Sequence, residues 1–112
     1  MKEIKNSYGV TKVDIINAEA SKGYKELVGR VEIVRGAAII NEPDENGVVN
    51  TFAYIFTESG EVYGGNSATV ARTVDSIIDL LSDEDGNKYG VTVDARESDN
   101  ERTFFTLRVV PQ

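Results

Sequence analysis

A chain of 112 residues, of which 40% are hydrophobic, suits one domain with a buried core and is too apolar for a disordered segment. The sequence contains neither cysteine nor histidine, which excludes disulfide bonds and removes the usual side chains of zinc sites and of nucleophile–base pairs. The formal net charge of −7 argues against binding to duplex DNA through bulk positive charge, although a local basic groove is compatible with it.

Residues 1–26 carry the weakest pattern of the chain. Four apolar residues among them predict a short strand: Val10, Val13, Ile15 and Ile16. Small and polar residues at 17–23 interrupt this pattern, and residues 24–28 predict one helical turn. We expect residues 1–26 to form an extension that packs on, or extends, a domain formed by residues 27–112.

Alternating polarity predicts five strands in that domain: residues 29–40, 48–57, 61–64, 89–96 and 103–110. Gly36 interrupts the alternation of the first strand and indicates a bulge or a bend. The short link at residues 58–60 contains a glycine and predicts a hairpin between the second and third strands.

One amphipathic helix separates the third strand from the fourth. Its apolar residues recur at helical spacing: Val70, Val74, Ile77, Ile78 and Leu81. Asn66 and Ser67 offer an N-cap, and the acidic turn at residues 83–86 ends the helix. The order β-β-β-α-β-β predicts a mainly β fold, a five-stranded Greek-key barrel of the oligonucleotide-binding class (OB-fold). The outer strand face of such barrels commonly binds single-stranded nucleic acid.

No residue pattern typical of an active site is present. The stretch Gly64-Gly65-Asn66-Ser67 resembles a phosphate-binding loop only faintly, and a strand-to-helix turn with an N-cap explains it better. The acidic turn at 83–86 lacks the ligand series of a calcium loop. We therefore predict a protein that is not an enzyme and has no catalytic residues, no metal site and no cofactor.

The aromatic residues of the second strand pose the main functional question. Phe52, Tyr54 and Phe56 share one face of the strand, and Ala53 and Ile55 share the other. If the two aliphatic residues face the core, three rings line the outer surface, where each stacked base contributes ~1–3 kcal/mol. The alternative is that the rings fill the core, where Phe is common.

Further candidates lie on the other strands. Tyr54 and Tyr63 rank highest as stacking residues, because a tyrosine hydroxyl favours a hydrated edge. Phe104 shares a face with Arg108, which suits a stacking and phosphate pair, unless the N-terminal segment covers it. Basic residues that could together follow a phosphate backbone are Arg30, Arg35, Lys88, Arg96, Arg102 and Arg108. Each of these alone is more typical of a solvated charge.

Two stretches of the chain resemble single-stranded DNA-binding proteins of tailed bacteriophages. The first combines Ile16-Asn17-Ala18-Glu19, Leu27-Val28-Gly29-Arg30 and Glu32-Ile33. The second is Phe56-Thr57-Glu58-Ser59-Gly60-Glu61-Val62-Tyr63-Gly64-Gly65-Asn66-Ser67, followed by the helix. The resemblance spans about residues 15–110. It implies an OB-fold barrel that coats single-stranded DNA during phage replication with little sequence preference.

On this basis we expect a protein that binds single-stranded DNA in phage replication or recombination. We also expect a homo-oligomer without a membrane segment, located in the cytoplasm of the host cell, with replication or recombination proteins as further partners. The acidic charge favours an alternative, a phage structural or protein-interaction module on the same barrel that binds no nucleic acid.

Overall fold

The computed structural model describes residues 3–7, 9–18, 21–82, 88–97 and 103–111. In chain order the elements are strand β1 (Glu3–Asn6), helix α1 (Lys12–Asn17), a 3₁₀ turn (Tyr24–Leu27), strands β2 (Glu32–Pro43), β3 (Val49–Thr57) and β4 (Val62–Gly65), helix α2 (Ala68–Ser82), and strands β5 (Tyr89–Glu97) and β6 (Thr103–Pro111). The five predicted strands, the helical turn and the helix between the third and fourth predicted strands are confirmed.

The strands form one antiparallel sheet in the order β4-β3-β2-β5-β6, and β1 pairs with β2. The long β2 joins the two halves, since its first residues pair with β5 and the remainder pairs with β3. Among the described residues no pairing joins β4 to β6, so the sheet is open. The mainly β class is therefore confirmed, whereas a closed Greek-key barrel is not seen.

Gly36 lies at an irregularity of β2, as predicted. Val34 pairs with Thr57 and Gly36 pairs with Phe56, which leaves one extra residue on β2. A Cβ atom at Gly36 would lie 2.6 Å from the Cγ2 atom of Val10. Glycine thus allows the N-terminal segment to cross β2 closely at this point.

The main core lies between the sheet and α2. The predicted stripe of α2 faces it: Val70, Val74, Ile77 and Ile78 are buried and Leu81 packs at its margin. The sheet contributes Val91, Val93 and Leu107, along with Ala53 and Ile55 of β3. Ser67 caps α2, because its Oγ accepts a hydrogen bond from the amide of Val70 at 3.4 Å.

The prediction of a strand around Val10 to Ile16 is wrong, because this region contains α1. Thr11 and Asp14 form a capping box, in which each side chain accepts a hydrogen bond from the other's backbone amide (3.2 and 2.9 Å). The strand of the N-terminal region is instead β1, four residues that pair with residues 38–41 of β2.

Within the described residues, no helix is both long and apolar enough to cross a membrane. The same residues contain no group of three or more carboxylates placed to hold a metal ion.

Candidate nucleic-acid interface

The two faces of β3 have different surroundings. Ala53 and Ile55 are fully buried in the main core. Phe52, Tyr54 and Phe56 therefore point to the opposite, outer face of the sheet. The sequence was compatible with two orientations of β3. In the structure, the three rings lie outside the main core.

The N-terminal segment covers part of this outer face. Phe56 is only 1% exposed and forms a second apolar cluster with the buried Ala18 and Ala38, on which Val10 and Ile15 also pack. Phe56 is therefore not accessible to a base. Phe52 and Tyr54 are half-buried, so each ring retains some exposed surface.

Two consecutive glycines of β4 make room for tyrosine rings. A Cβ atom at Gly64 would lie 2.4 Å from Cδ1 of Tyr54, its partner across the strands. A Cβ atom at Gly65 would lie 3.2 Å from Cδ2 of Tyr24. Tyr24 is fixed in addition by its hydroxyl, which donates a 2.6 Å hydrogen bond to the backbone oxygen of Ala53. The Gly-Gly pair thus positions Tyr54 on the outer face and Tyr24 in the core.

Tyr63 lies inside the protein. Its side chain is 0% exposed and belongs to the main core. Its hydroxyl has no hydrogen-bond partner among the described residues, and burial raises the pKa of this hydroxyl. The expectation that its hydroxyl would lie at a hydrated edge does not hold, and its ring is not part of the exposed surface.

Four of the predicted phosphate-binding cations are paired with carboxylates. The pairs are Arg30–Glu32 (3.3 Å), Arg35–Asp14 (3.1 Å), Lys88–Glu58 (3.1 Å) and Arg108–Asp94 (2.8 Å). Surface pairs of this kind contribute little to stability, because solvent and salt screen them. Their main consequence is electrostatic, because each carboxylate offsets the positive charge that would attract a phosphate.

Asp14 holds Arg35 against the covered aromatic cluster. A hydrogen bond from the Thr11 amide, and then Arg35, lower the pKa of Asp14. The Arg35 guanidinium also lies 5.5 Å from the centre of the Phe56 ring. This arrangement assigns Arg35 to the attachment of the N-terminal segment.

The last hairpin carries the remaining candidates. Arg96 is exposed and has no ion-pair partner among the described residues. Its strand position pairs with that of Phe104. The side chain of Phe104 and the whole of Arg102 lie outside the described part of the structure.

The structure also contains a surface cleft that no pattern in the sequence indicates. A cleft of about 530 Å³ lies between the 3₁₀ turn, the end of β4 and β6. Lys25 and Phe105 line it, with the Lys25 ammonium 5.3 Å from the centre of the Phe105 ring. Phe105 is partly buried and also packs against the main core. No local signal in the sequence links it to a lysine 80 positions earlier.

Comparison with known proteins identifies the family. Residues 5–110 match the sequence model of the phage single-stranded DNA-binding proteins of the phi29 type. The chain belongs to this family. It is 32% identical to the single-stranded DNA-binding protein of Bacillus phage B103 over 118 aligned residues, which cover 96% of this chain and 97% of that protein. No solved structure matches the chain significantly.

Membership of the phage single-stranded DNA-binding family confirms the resemblance seen in the sequence. The matched range starts within β1 and ends in β6. It therefore includes α1, which covers Phe56, as well as the sheet itself. The covering segment is part of the region that the family shares.

Proposed function

We propose that this protein is a non-enzymatic single-stranded DNA-binding protein that coats DNA without strong sequence preference. The coating would take place during replication or recombination of phage DNA in the host cytoplasm. Family membership supports the ligand class. The observation that carries the binding mode is the pair of half-buried rings, Phe52 and Tyr54, two residues apart on the outer face of β3.

The strand order supports an OB-fold. Counted from β2, the elements follow the order β-β-β-α-β-β, with α2 after the third strand. OB-folds are partly open barrels that bind oligonucleotides on the face of their second and third strands. In this protein those strands are β3 and β4, which carry Phe52 and Tyr54 and the glycine beneath Tyr54.

Base stacking would supply most of the binding energy. Two rings that each hold one base contribute together roughly 2–6 kcal/mol. The protein has a net charge of −7, and most of its predicted phosphate-binding cations are paired. Among the predicted phosphate-binding cations that the structure describes, Arg96 alone lacks a carboxylate partner, so we assign it to a phosphate.

Removal of the two rings tests this assignment. Phe52→Ala and Tyr54→Ala should each weaken the binding of a labelled oligo-dT by roughly 5- to 150-fold, as measured by fluorescence anisotropy at low salt. Tyr63→Phe is the matched control, because it removes only a buried hydroxyl and should leave the affinity unchanged. Wild-type protein that binds a protein partner but no oligo-dT would favour the interaction module instead. Full affinity in both alanine variants would refute the assigned face.

Coating of DNA also suggests self-association and contacts with replication or recombination proteins. Val13 and Ile16 of α1 are 63% and 71% exposed and offer an apolar contact on the covering segment. Sedimentation of the wild type and of a Val13→Ser, Ile16→Ser double variant tests this part of the proposal. A monomer in both, with and without oligo-dT, would argue against it.

A further inference from the structure

We propose that the cleft between the 3₁₀ turn, β4 and β6 is a second nucleotide subsite, which takes one base on the ring of Phe105 and its phosphate on Lys25. This inference rests on the proposed function, since it assigns a further part of the same DNA strand. It goes beyond the outer face of β3, because the cleft lies at the end of β4 and on the opposite side of that strand.

The cleft has the size and composition of a ligand site. Its volume of about 530 Å³ falls within the range of roughly 300–1,000 Å³ that is usual for small-molecule pockets. Its walls include the ring of Phe105, the backbone of Gly64 and Gly65 and the polar residue Asn66. Two glycines in the wall bring the backbone close to this space.

Lys25 gives the cleft its charge preference. It is exposed and has no carboxylate partner among the described residues, in contrast to Lys22, which pairs with Glu61 at 2.9 Å. An unpaired ammonium at the rim of a cleft attracts an anionic ligand even though the whole protein is acidic. A nucleotide supplies both the anion and the flat apolar group that the ring requires.

The contact between Lys25 and Phe105 can be exchanged for nucleotide contacts at little cost. A cation–π contact at an exposed site contributes about 0.5–1 kcal/mol, whereas a stacked base contributes ~1–3 kcal/mol. We infer that an incoming base displaces the ammonium from the ring. The flexible lysine stem then places the ammonium on the adjacent phosphate.

The cleft and the proposed outer face share one residue of β4. Gly64 lines the cleft and also lies against the ring of Tyr54 on the outer side of β4. We place the DNA strand across the end of β4, so that one strand stacks on Tyr54 and enters the cleft. This position explains how one strand would use both sites.

A tryptophan probe tests the subsite directly, because the chain contains no tryptophan of its own. In the Phe105→Trp variant, oligo-dT should quench the indole fluorescence with the same midpoint as the anisotropy change. Phe52→Trp reports on the outer face in the same way. Quenching at position 52 without any change at position 105, in a variant that binds with wild-type affinity, would overturn the subsite and leave the proposed function intact. Absence of binding by the wild type would instead refute the proposed function.

The lysine is tested by the salt dependence of binding. Lys25→Gln should weaken binding at low salt several-fold and reduce the slope of log K against log salt by about 0.7, the value for one phosphate on a single strand. Arg72→Gln is the matched control, since it removes one charge from the exposed face of α2 and should change neither quantity. Equal slopes for Lys25→Gln and the wild type would overturn the phosphate assignment.

Discussion

Substitution of Gly64 by alanine tests whether β4 positions the stacking ring of Tyr54. The new Cβ atom would lie 2.4 Å from Cδ1 and 2.5 Å from Cε1 of Tyr54, and 2.6 Å from Oγ of Ser21. Carbon atoms in contact are normally about 3.5–4.0 Å apart, so the rigid ring must move by about 1 Å or more. We expect Gly64→Ala to lower the free energy of unfolding by about 1–3 kcal/mol, the usual cost of overpacking.

The same substitution should weaken DNA binding, because the displaced ring no longer presents its stacking surface. Loss of one stack corresponds to a decrease in affinity of roughly 5- to 150-fold. Urea unfolding followed by circular dichroism measures the stability, and anisotropy of a labelled oligo-dT measures the affinity.

Gly23→Ala is the matched stability control. A Cβ atom there meets nothing within 4 Å, and the backbone φ of −71° suits alanine. This variant should unfold at the wild-type urea concentration or be more stable by about 0.4–1 kcal/mol.

A double-mutant cycle isolates the contact between Gly64 and Tyr54. In a Tyr54→Ala background, Gly64→Ala meets the Ser21 hydroxyl but no ring, so its cost should be smaller by at least about 1 kcal/mol. Wild-type stability and affinity in Gly64→Ala, or an equal cost in both backgrounds, would refute the positioning of the ring by this glycine.

Three further predictions concern salt, pH and packing. Among the described cations only Lys12, Lys25, Arg72 and Arg96 lack a carboxylate partner, and Lys2 and Arg102 lie outside the described residues. Since Arg72 is assigned no phosphate, the salt slope for oligo-dT should be no steeper than about −3.5. A slope near −8, as if all twelve cations contacted phosphates, would contradict it. Burial raises the pKa of the Tyr24 hydroxyl above its usual value of 10.0. Above pH 10 the unfolded chain loses a proton that the buried hydroxyl keeps, so the free energy of unfolding should fall as the pH rises. Urea unfolding at pH 8 and 11 should show a smaller decline for Tyr24→Phe, and an equal decline would argue against burial as the cause. Phe56→Ala should lower the free energy of unfolding by about 3–5 kcal/mol, and Phe52→Ala should lower it clearly less, because of these two rings only Phe56 is fully buried. Equal decreases for the two variants in urea unfolding would mean that α1 does not cover Phe56 in solution.

Local patterns determined most of the elements. Polar alternation located five strands, and the spacing of Val70, Val74 and Ile77 located α2 with its buried face. Gly36 marked the irregularity of β2 for a local reason, since a residue without a side chain tolerates both a bulge and a close crossing. The short N-terminal elements were missed because a four-residue strand and a six-residue helix contain too few positions to show a period.

The roles of the aromatic residues were decided by tertiary structure. Alternation states which residues share a face, but both faces of β3 are apolar, so it does not state which one meets the core. Packing of α2 against Ala53 and Ile55 decided that question, and the N-terminal segment then buried Phe56 and left Phe52 and Tyr54 half-buried.

The sequence by itself determined the family, the order of the five main strands along the chain and the position of the helix between them, because these depend on local periodicity and on a nearly full-length match. Tertiary structure alone decided which rings and charges are accessible. Arg35 meets Asp14 across 21 positions, and Lys25 meets Phe105 across a longer separation still. Contacts between residues this far apart follow from how the sheet and the N-terminal segment fold over each other, and no local pattern encodes them.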